Sequence, residues 1–269
     1  KAQALFSFVK ARLSQGLSAK SFATDLQEDA EALEQLLVQR PATWTASTLM
    51  MLDDVTKVIA VKFSYPMLLA VHRRFKSAPQ DFERSIRLLM NFLFRFMKVG
   101  GGSPEKLALI AGKIGAHCRN ASFDNKQALA AMSADFLLEA SDKQFTDEFA
   151  IYSEANTKQA YFTDYYLERF LLNGTMPLPH GAESNLEHIM PKTPTVVDWP
   201  AAHALKASDP GQFNNLVWRI GNLLPLPESI NKSIKNKGIA HKLSGGTMNY
   251  ASSSLKSPNS LKAYLTPAG

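Results

Sequence analysis

The sequence predicts a mainly helical protein, with a long N-terminal helical part followed by a shorter part of strands and irregular chain. Two observations lead there. From Lys1 to Leu172 apolar residues recur at the spacing of one helix face. At Asn173-Gly174 that period stops, and Pro177, Pro179, Pro191, Pro194 and Pro200 crowd into a short span. Size and composition allow both parts a core. A chain of 269 residues with 45% hydrophobic content can form one large domain or two ordinary ones, and it argues against disorder. The expected division is residues 1–172 and 173–269.

The helices can be justified in order. Phe22, Leu26, Leu33 and Leu37 recur at helical spacing, and Pro41 closes that segment. Tyr65-Pro66 opens another, since proline is tolerated in a first turn. Ser77-Ala78-Pro79-Gln80 reads as a capping box before Phe82, Ile86, Leu89, Leu93 and Phe96, and Gly100-Gly101-Gly102 ends that stripe. Ser103-Pro104 reads as an N-cap with proline after it, and Leu107, Ile110, Ile114 and Cys118 form the buried face beyond. Two further amphipathic stretches run from Lys126 to Ala140 and from Asn156 to Leu172. The second carries Tyr161, Phe162, Tyr165, Tyr166 and Phe170, a stripe that belongs to a core. In the C-terminal part Leu186 to Met190 and Asn222 to Leu226 read as short strands. Pro227-Glu228 opens a short helix through Asn231 and Ile234, and the Ser-, Gly- and Asn-rich tail after Leu243 reads as loop.

Composition excludes several classes of function. The single cysteine, Cys118, rules out an intrachain disulfide and a cysteine-ligated structural zinc. It fits a buried packing role and a reducing, cytoplasmic setting. No apolar run reaches the roughly 18 residues of a membrane span, and no signal peptide is present. Gly100 to Gly102 lacks the lysine and hydroxyl residue of a phosphate loop. The net charge of +6 permits a polyanionic partner without requiring one. The opening Lys1-Ala2-Gln3, with no initiator methionine, reads as a fragment of a longer protein.

The chemistry concentrates in Glu187-His188-Ile189-Met190-Pro191, answered by Gly221-Asn222-Leu223 and by Asn231. Hydrolysing a phosphodiester requires water to lose a proton, the phosphate charge to be neutralised and the leaving oxygen to be stabilised. Water has a pKa of about 15.7 and histidine about 6.5, so a neutral imidazole such as His188 suits the first task. In an extended segment Glu187 points away from its neighbour and can face a hard cation, with Asn231 as a second oxygen ligand. Asn222 is placed to hold the hairpin and orient the imidazole. A helix-terminal or surface role is the rival for Asn231, and Asn222 or Asn236 can exchange roles with it. His180, His203 and His241 are secondary candidates, and His72 and His117 belong to the helical part.

These blocks resemble the HNH (ββα-metal, His-Me finger) nucleases. The closer resemblance is to the HNH domain at the C-terminus of GmrSD-type modification-dependent restriction enzymes. A similar domain is carried by the SspE effector of phosphorothioate-linked phage defence. The resemblance runs from about Asn185 to Lys242, with Trp199 and Trp218 between its first two blocks. It implies a compact ββα-metal nuclease after the helical domain, with His188 as general base, Asn222 as hairpin residue, and Glu187 and Asn231 holding Mg²⁺ or Mn²⁺. Asn236 is implied as a structural link or alternative ligand, and Lys242 as a phosphate contact. It also implies DNA as substrate, a nucleotide-hydrolysing domain upstream, a role in restriction or phage defence, and nicking by a single site. The alternative is an inactive DNA-binding or coupling module of such a protein.

Two departures and one ambiguity accompany the resemblance. Pro225 replaces a ladder donor in the second strand and is expected to kink it. The distance from His188 to Asn222 requires a loop insertion between the strands. Lys232, Lys235, Lys237, Lys242, Lys256 and Lys262, against Glu228 alone, form either a solvated tail or a footprint for DNA phosphates, with Lys235, Lys237 and Lys242 as the candidate contacts.

Overall fold

The computed structural model describes residues 18–38, 40–155 and 184–264, together with 7, 9–11, 13, 14, 16, 160, 163–165, 167 and 168. The expected boundary at 172/173, His180, and Tyr161, Phe162, Tyr166 and Phe170 lie outside the described residues. The chain divides into two compact units, Lys1–Glu148 and Phe149–Gly269. It is mainly helical, with a two-stranded sheet, and among the described residues no helix is long and apolar enough to cross a membrane.

The first unit is helix packed on helix. It contains α1 (Ala19–Leu37), α2 (Ala46–Asp53), α3 (Tyr65–Phe75), α4 (Pro79–Leu93), α5 (Pro104–Arg119) and α6 (Asn125–Glu139), and α7 (Asp142–Ile151) begins in it. The stripe Phe82, Ile86, Leu89, Leu93 and Phe96 is buried throughout, and so are Leu107, Ile110, Ile114 and Cys118. Phe92 of α4 stacks on Phe136 of α6 with centroids 4.3 Å apart. Ser103 caps α5 by accepting from the Lys106 amide, as the sequence predicts.

Other N-termini differ from the reading. Ala78 is the N-cap of α4 and its methyl group accepts nothing, so the box expected at Ser77 does not form. A reciprocal box forms instead at α6, between Asp124 and Gln127. The buried side of α1 is Ala32 and Leu36, while Leu26 is exposed. Gly102 is required by space, because a Cβ there would lie 2.3 Å from the Phe96 ring.

The second unit carries β1 (Ser184–His188) and β2 (Leu223–Pro227), paired antiparallel with Glu187 opposite Leu224 and His188 opposite Leu223. Pro225 lies within β2 opposite Leu186. In a sheet of two strands each strand has a free edge, so the missing donor does not end the strand. α10 (Glu228–Ile234) follows β2 directly and packs Ile230 and Ile234, one turn apart, against Leu224, Leu226 and Tyr250. Burying each such side chain contributes about 1.5–3 kcal/mol. Leu186 and Leu223 face the other way, into a cluster with Ile220 and Trp218.

The segment between the strands is helical rather than loop. α8 (Pro200–Ser208) and α9 (Pro210–Val217) each begin at a proline in the first turn, and Ala202, Phe213 and Val217 give them a core of their own. Pro200, one of the crowded prolines that mark the loss of helical period in the sequence, stands at N1 and starts a helix. The tail also departs from loop. After α11 (Ile239–Ser244) come a 3₁₀ turn at Tyr250–Ser252, α12 (Lys256–Ser260) and a second 3₁₀ turn at Leu261–Tyr264.

Candidate functional site

Alternation along β1 sends Glu187 and His188 to opposite faces of the sheet. Glu187 enters the core beneath α10 and is 4% exposed. Its Oε1 accepts from the Lys242 ammonium at 2.6 Å and from the Tyr250 hydroxyl at 2.9 Å. Lys242, on α11, is itself fully buried, and it also donates to the backbone carbonyls of His188 at 2.8 Å and Ile189 at 3.0 Å. Burial raises the Glu187 carboxyl and lowers the Lys242 ammonium, each opposed by the other's charge. With three acceptors around the ammonium and two donors on the carboxylate oxygen, the pair is held ionised. All three ammonium protons are spent inside the protein, so Lys242 has none for a phosphate. The expected DNA contact is corrected to an internal cation that braces the end of β1.

His188 faces the cluster on the other side. Its ring meets Trp218 edge-on, with centroids 4.9 Å apart at 80°. Burial, then the charges of Lys192 and Lys242, pull its pKa down to about 4, so the imidazole is neutral at pH 7. Its Nε2 is closed from solvent and has no hydrogen-bond partner among the described residues. A buried polar atom left unpaired costs roughly 1–3 kcal/mol. Packing alone gives no reason to retain it.

Asn222 ends the turn before β2 and ties the loop after β1 in place. Its Oδ1 accepts from Met190 N at 2.7 Å, and its Nδ2 donates to Met190 O at 3.1 Å and to Val217 O at 2.9 Å. Its own carbonyl accepts from Ile189 N at 2.8 Å. The hairpin role is therefore made by backbone contacts. Both amide protons are committed to carbonyls, so the direct steering of the imidazole expected of Asn222 is replaced by fixing the chain just beyond it.

Residues 139–265 match the family model described as GmrSD restriction endonucleases, C-terminal domain. This segment is a GmrSD-type C-terminal domain. No curated protein and no solved structure matches the chain. The family points to a restriction-endonuclease-type nuclease, and so to DNA as substrate.

Within the GmrSD-type domain the remaining expected residues are dispersed. Asn231 is half-buried on α10 beside Ile230. Asn236 is exposed and donates to Thr193 Oγ1 at 2.7 Å, and the Trp199 indole donates to the carbonyls of Asn236 and Lys237. These bonds tie the end of α10 to the segment that follows β1. Lys235 and Lys237 are exposed, and Lys232 pairs with Glu228. His203 and His241 are exposed.

The described side chains do not form a ready Mg²⁺ or Mn²⁺ site. Hard cations take anionic oxygen ligands, and the carboxylate expected to serve, Glu187, already holds an ammonium and a hydroxyl on one oxygen. Among the described residues no three His, Cys, Asp or Glu side chains converge. Asn231 brings a neutral amide only.

Three contributors escaped the sequence reading. Tyr250 sits in a stretch read as loop, and a lone aromatic among Ser, Gly and Asn was its only signal. Trp218 stood out as a tryptophan between the motif blocks, but its contact with His188 depends on the turn after α9. Lys192 follows Pro191 as one lysine among many, and its ammonium lies 4.1 Å from the Trp218 ring centroid.

Two predictions arise here. The folded pKa of His188 lies below its ordinary 6.5, so between pH 6.5 and about 4 the unfolded chain binds a proton that the folded chain refuses. That stabilising contribution is complete above pH 6.5 and is lost as pH falls toward 4. Thermal melts followed by tryptophan emission are expected to fall more steeply over this interval in wild type than in His188→Gln. Parallel curves would remove the buried neutral imidazole. The second concerns Lys235, which caps α10 at φ 43° and ψ −129°, a region that favours glycine. Lys235→Gly is expected to stabilise the domain by about 1 kcal/mol in urea denaturation. A lowered midpoint would show that the lysine side chain contributes more than its backbone strain costs.

Proposed function

We propose that this chain is a DNA endonuclease of the HNH (ββα-metal) type, with His188 as its general base, acting in restriction or phage defence. The observation that carries the reading is a neutral imidazole whose Nε2 has no partner among the described residues, on the first strand of a β–β–α element inside a restriction-endonuclease domain. In the reaction a water oxygen bonds to phosphorus as its proton passes to the imidazole. The P–O bond to the leaving sugar breaks, and that oxygen takes a proton from solvent. No step is assigned to a metal, because Glu187 is already neutralised. One site cuts one strand, so nicking is the expected product of a single encounter.

Supercoiled plasmid incubated with the protein tests this. Relaxed circles that appear with wild type and not with His188→Ala are the expected result. Intact plasmid in both would favour an inactive DNA-binding or coupling module, and equal nicking by both would move the base elsewhere. Parallel reactions with EDTA, Mg²⁺ and Mn²⁺ test ion dependence. Activation by an ion that is abolished in Asn231→Ala would assign the ion to Asn231.

A further inference from the structure

We propose that Lys192 is a phosphate-binding residue of the cleavage site, seated on Trp218 beside His188. The inference rests on the endonuclease reading of His188. Trp218 is the shared surface: the Lys192 ammonium lies 4.1 Å from the centroid of its ring, and the imidazole meets the same ring at 4.9 Å. The lysine charge reaches the imidazole and helps to keep it unprotonated. A cation on an indole face is held in place rather than left to swing freely in water.

The backbone around Lys192 is pinned along its length. Lys242 bonds the carbonyls of His188 and Ile189. Asn222 bonds Met190 at both its amide and its carbonyl. Pro191 is buried, the Lys206 ammonium donates to Lys192 O at 2.8 Å, and Asn236 donates to Thr193. The loop that leaves the base therefore presents the next cation in a fixed place. Three other lysines of this unit are spent: Lys242 on Glu187, Lys206 on a carbonyl and Lys232 on Glu228. Lys192 is exposed, makes no ion pair among the described residues, and burial against its surroundings lowers its pKa. An exposed ammonium with no anion on it among the described residues, next to a neutral base, suits a phosphate oxygen, to which lysine offers a point charge.

The test uses the full chain and a labelled DNA duplex. Lys192→Met keeps the methylene stem on Trp218 and removes the charge, Lys192→Gln is a second neutral form, and Lys192→Arg restores the charge. Fluorescence anisotropy in EDTA, over about 50 to 200 mM salt, is expected to show both neutral variants binding about tenfold more weakly at the low-salt end. The magnitude of their log–log salt slope should be smaller by about 0.9, and the arginine variant should recover both quantities. Nicking at saturating DNA should fall in parallel. If neutral variants with wild-type melting curves keep the wild-type affinity and slope, Lys192 does not bind phosphate. That failure differs from failure of the base. A His188→Ala protein that nicks normally overturns the assignment of His188 as base whatever Lys192 does, and wild type that does not bind the duplex overturns both.

Discussion

Lys242→Met is expected to destabilise the second unit by about 3–5 kcal/mol, among the largest effects any single substitution should have in this chain. The reason is what the ammonium leaves behind. Glu187, 4% exposed, would keep a buried carboxyl with the Tyr250 hydroxyl and the His188 backbone amide as donors and no counter-charge. The carbonyls of His188 and Ile189 would lose the cation that now bonds them. Each unpaired buried group adds roughly 1–3 kcal/mol of desolvation cost, more where it is charged. Removing both charges in Lys242→Met/Glu187→Leu should return much of the loss, because a buried pair as a whole roughly balances its own desolvation. Lys232→Met, which breaks the exposed pair with Glu228, should cost no more than about 0.5 kcal/mol. Urea denaturation followed by Trp199 and Trp218 emission separates these outcomes. A single variant within about 1 kcal/mol of wild type would mean that Lys242 is not the internal cation its contacts describe.

The same residues show how far the sequence could be read. The helices were legible because their information is local. Phe82, Ile86, Leu89 and Leu93 mark a face by spacing alone, and Ser103-Pro104 caps a helix through neighbouring atoms. The strands were legible within two residues, since short apolar runs between prolines have few alternatives. What the sequence hid is non-local. Glu187 meets Lys242 and Tyr250 across more than fifty positions, and no periodicity links strand, helix and tail at that range. A Glu beside a His also reads equally well as a metal ligand or as a counter-ion. The choice depends on whether a cation of the chain itself reaches the carboxylate, and Lys242 does. Proline misled the reading for a related reason. Pro200 and Pro210 look like breakers in a list of residues, yet both stand at helix starts, where the missing amide proton has no partner to lose.

For His188→Ala the expected result is loss of plasmid nicking by about 10²–10⁴-fold, the range that a positioned general base supplies. The substitution also removes the edge contact with Trp218, so a fall in rate alone does not distinguish a base from a packing residue. Two further measurements do. Imidazole added to the buffer should restore part of the activity of His188→Ala, because the small molecule can occupy the vacated space and take the proton. It should restore nothing to Lys242→Met, whose defect lies in the chain that carries the base. His188→Gln keeps bulk and neutrality and removes the basic lone pair, so it should melt near wild type at pH 7 and still fail to cut. A glutamine variant that nicks within about threefold of wild type would reduce His188 to packing. Its orphaned Nε2 would then be a cost of the fold with no catalytic return. Inactive alanine and glutamine variants, with imidazole rescue of the first, would give the imidazole a reason that its contact with Trp218 does not: it takes the proton of the attacking water.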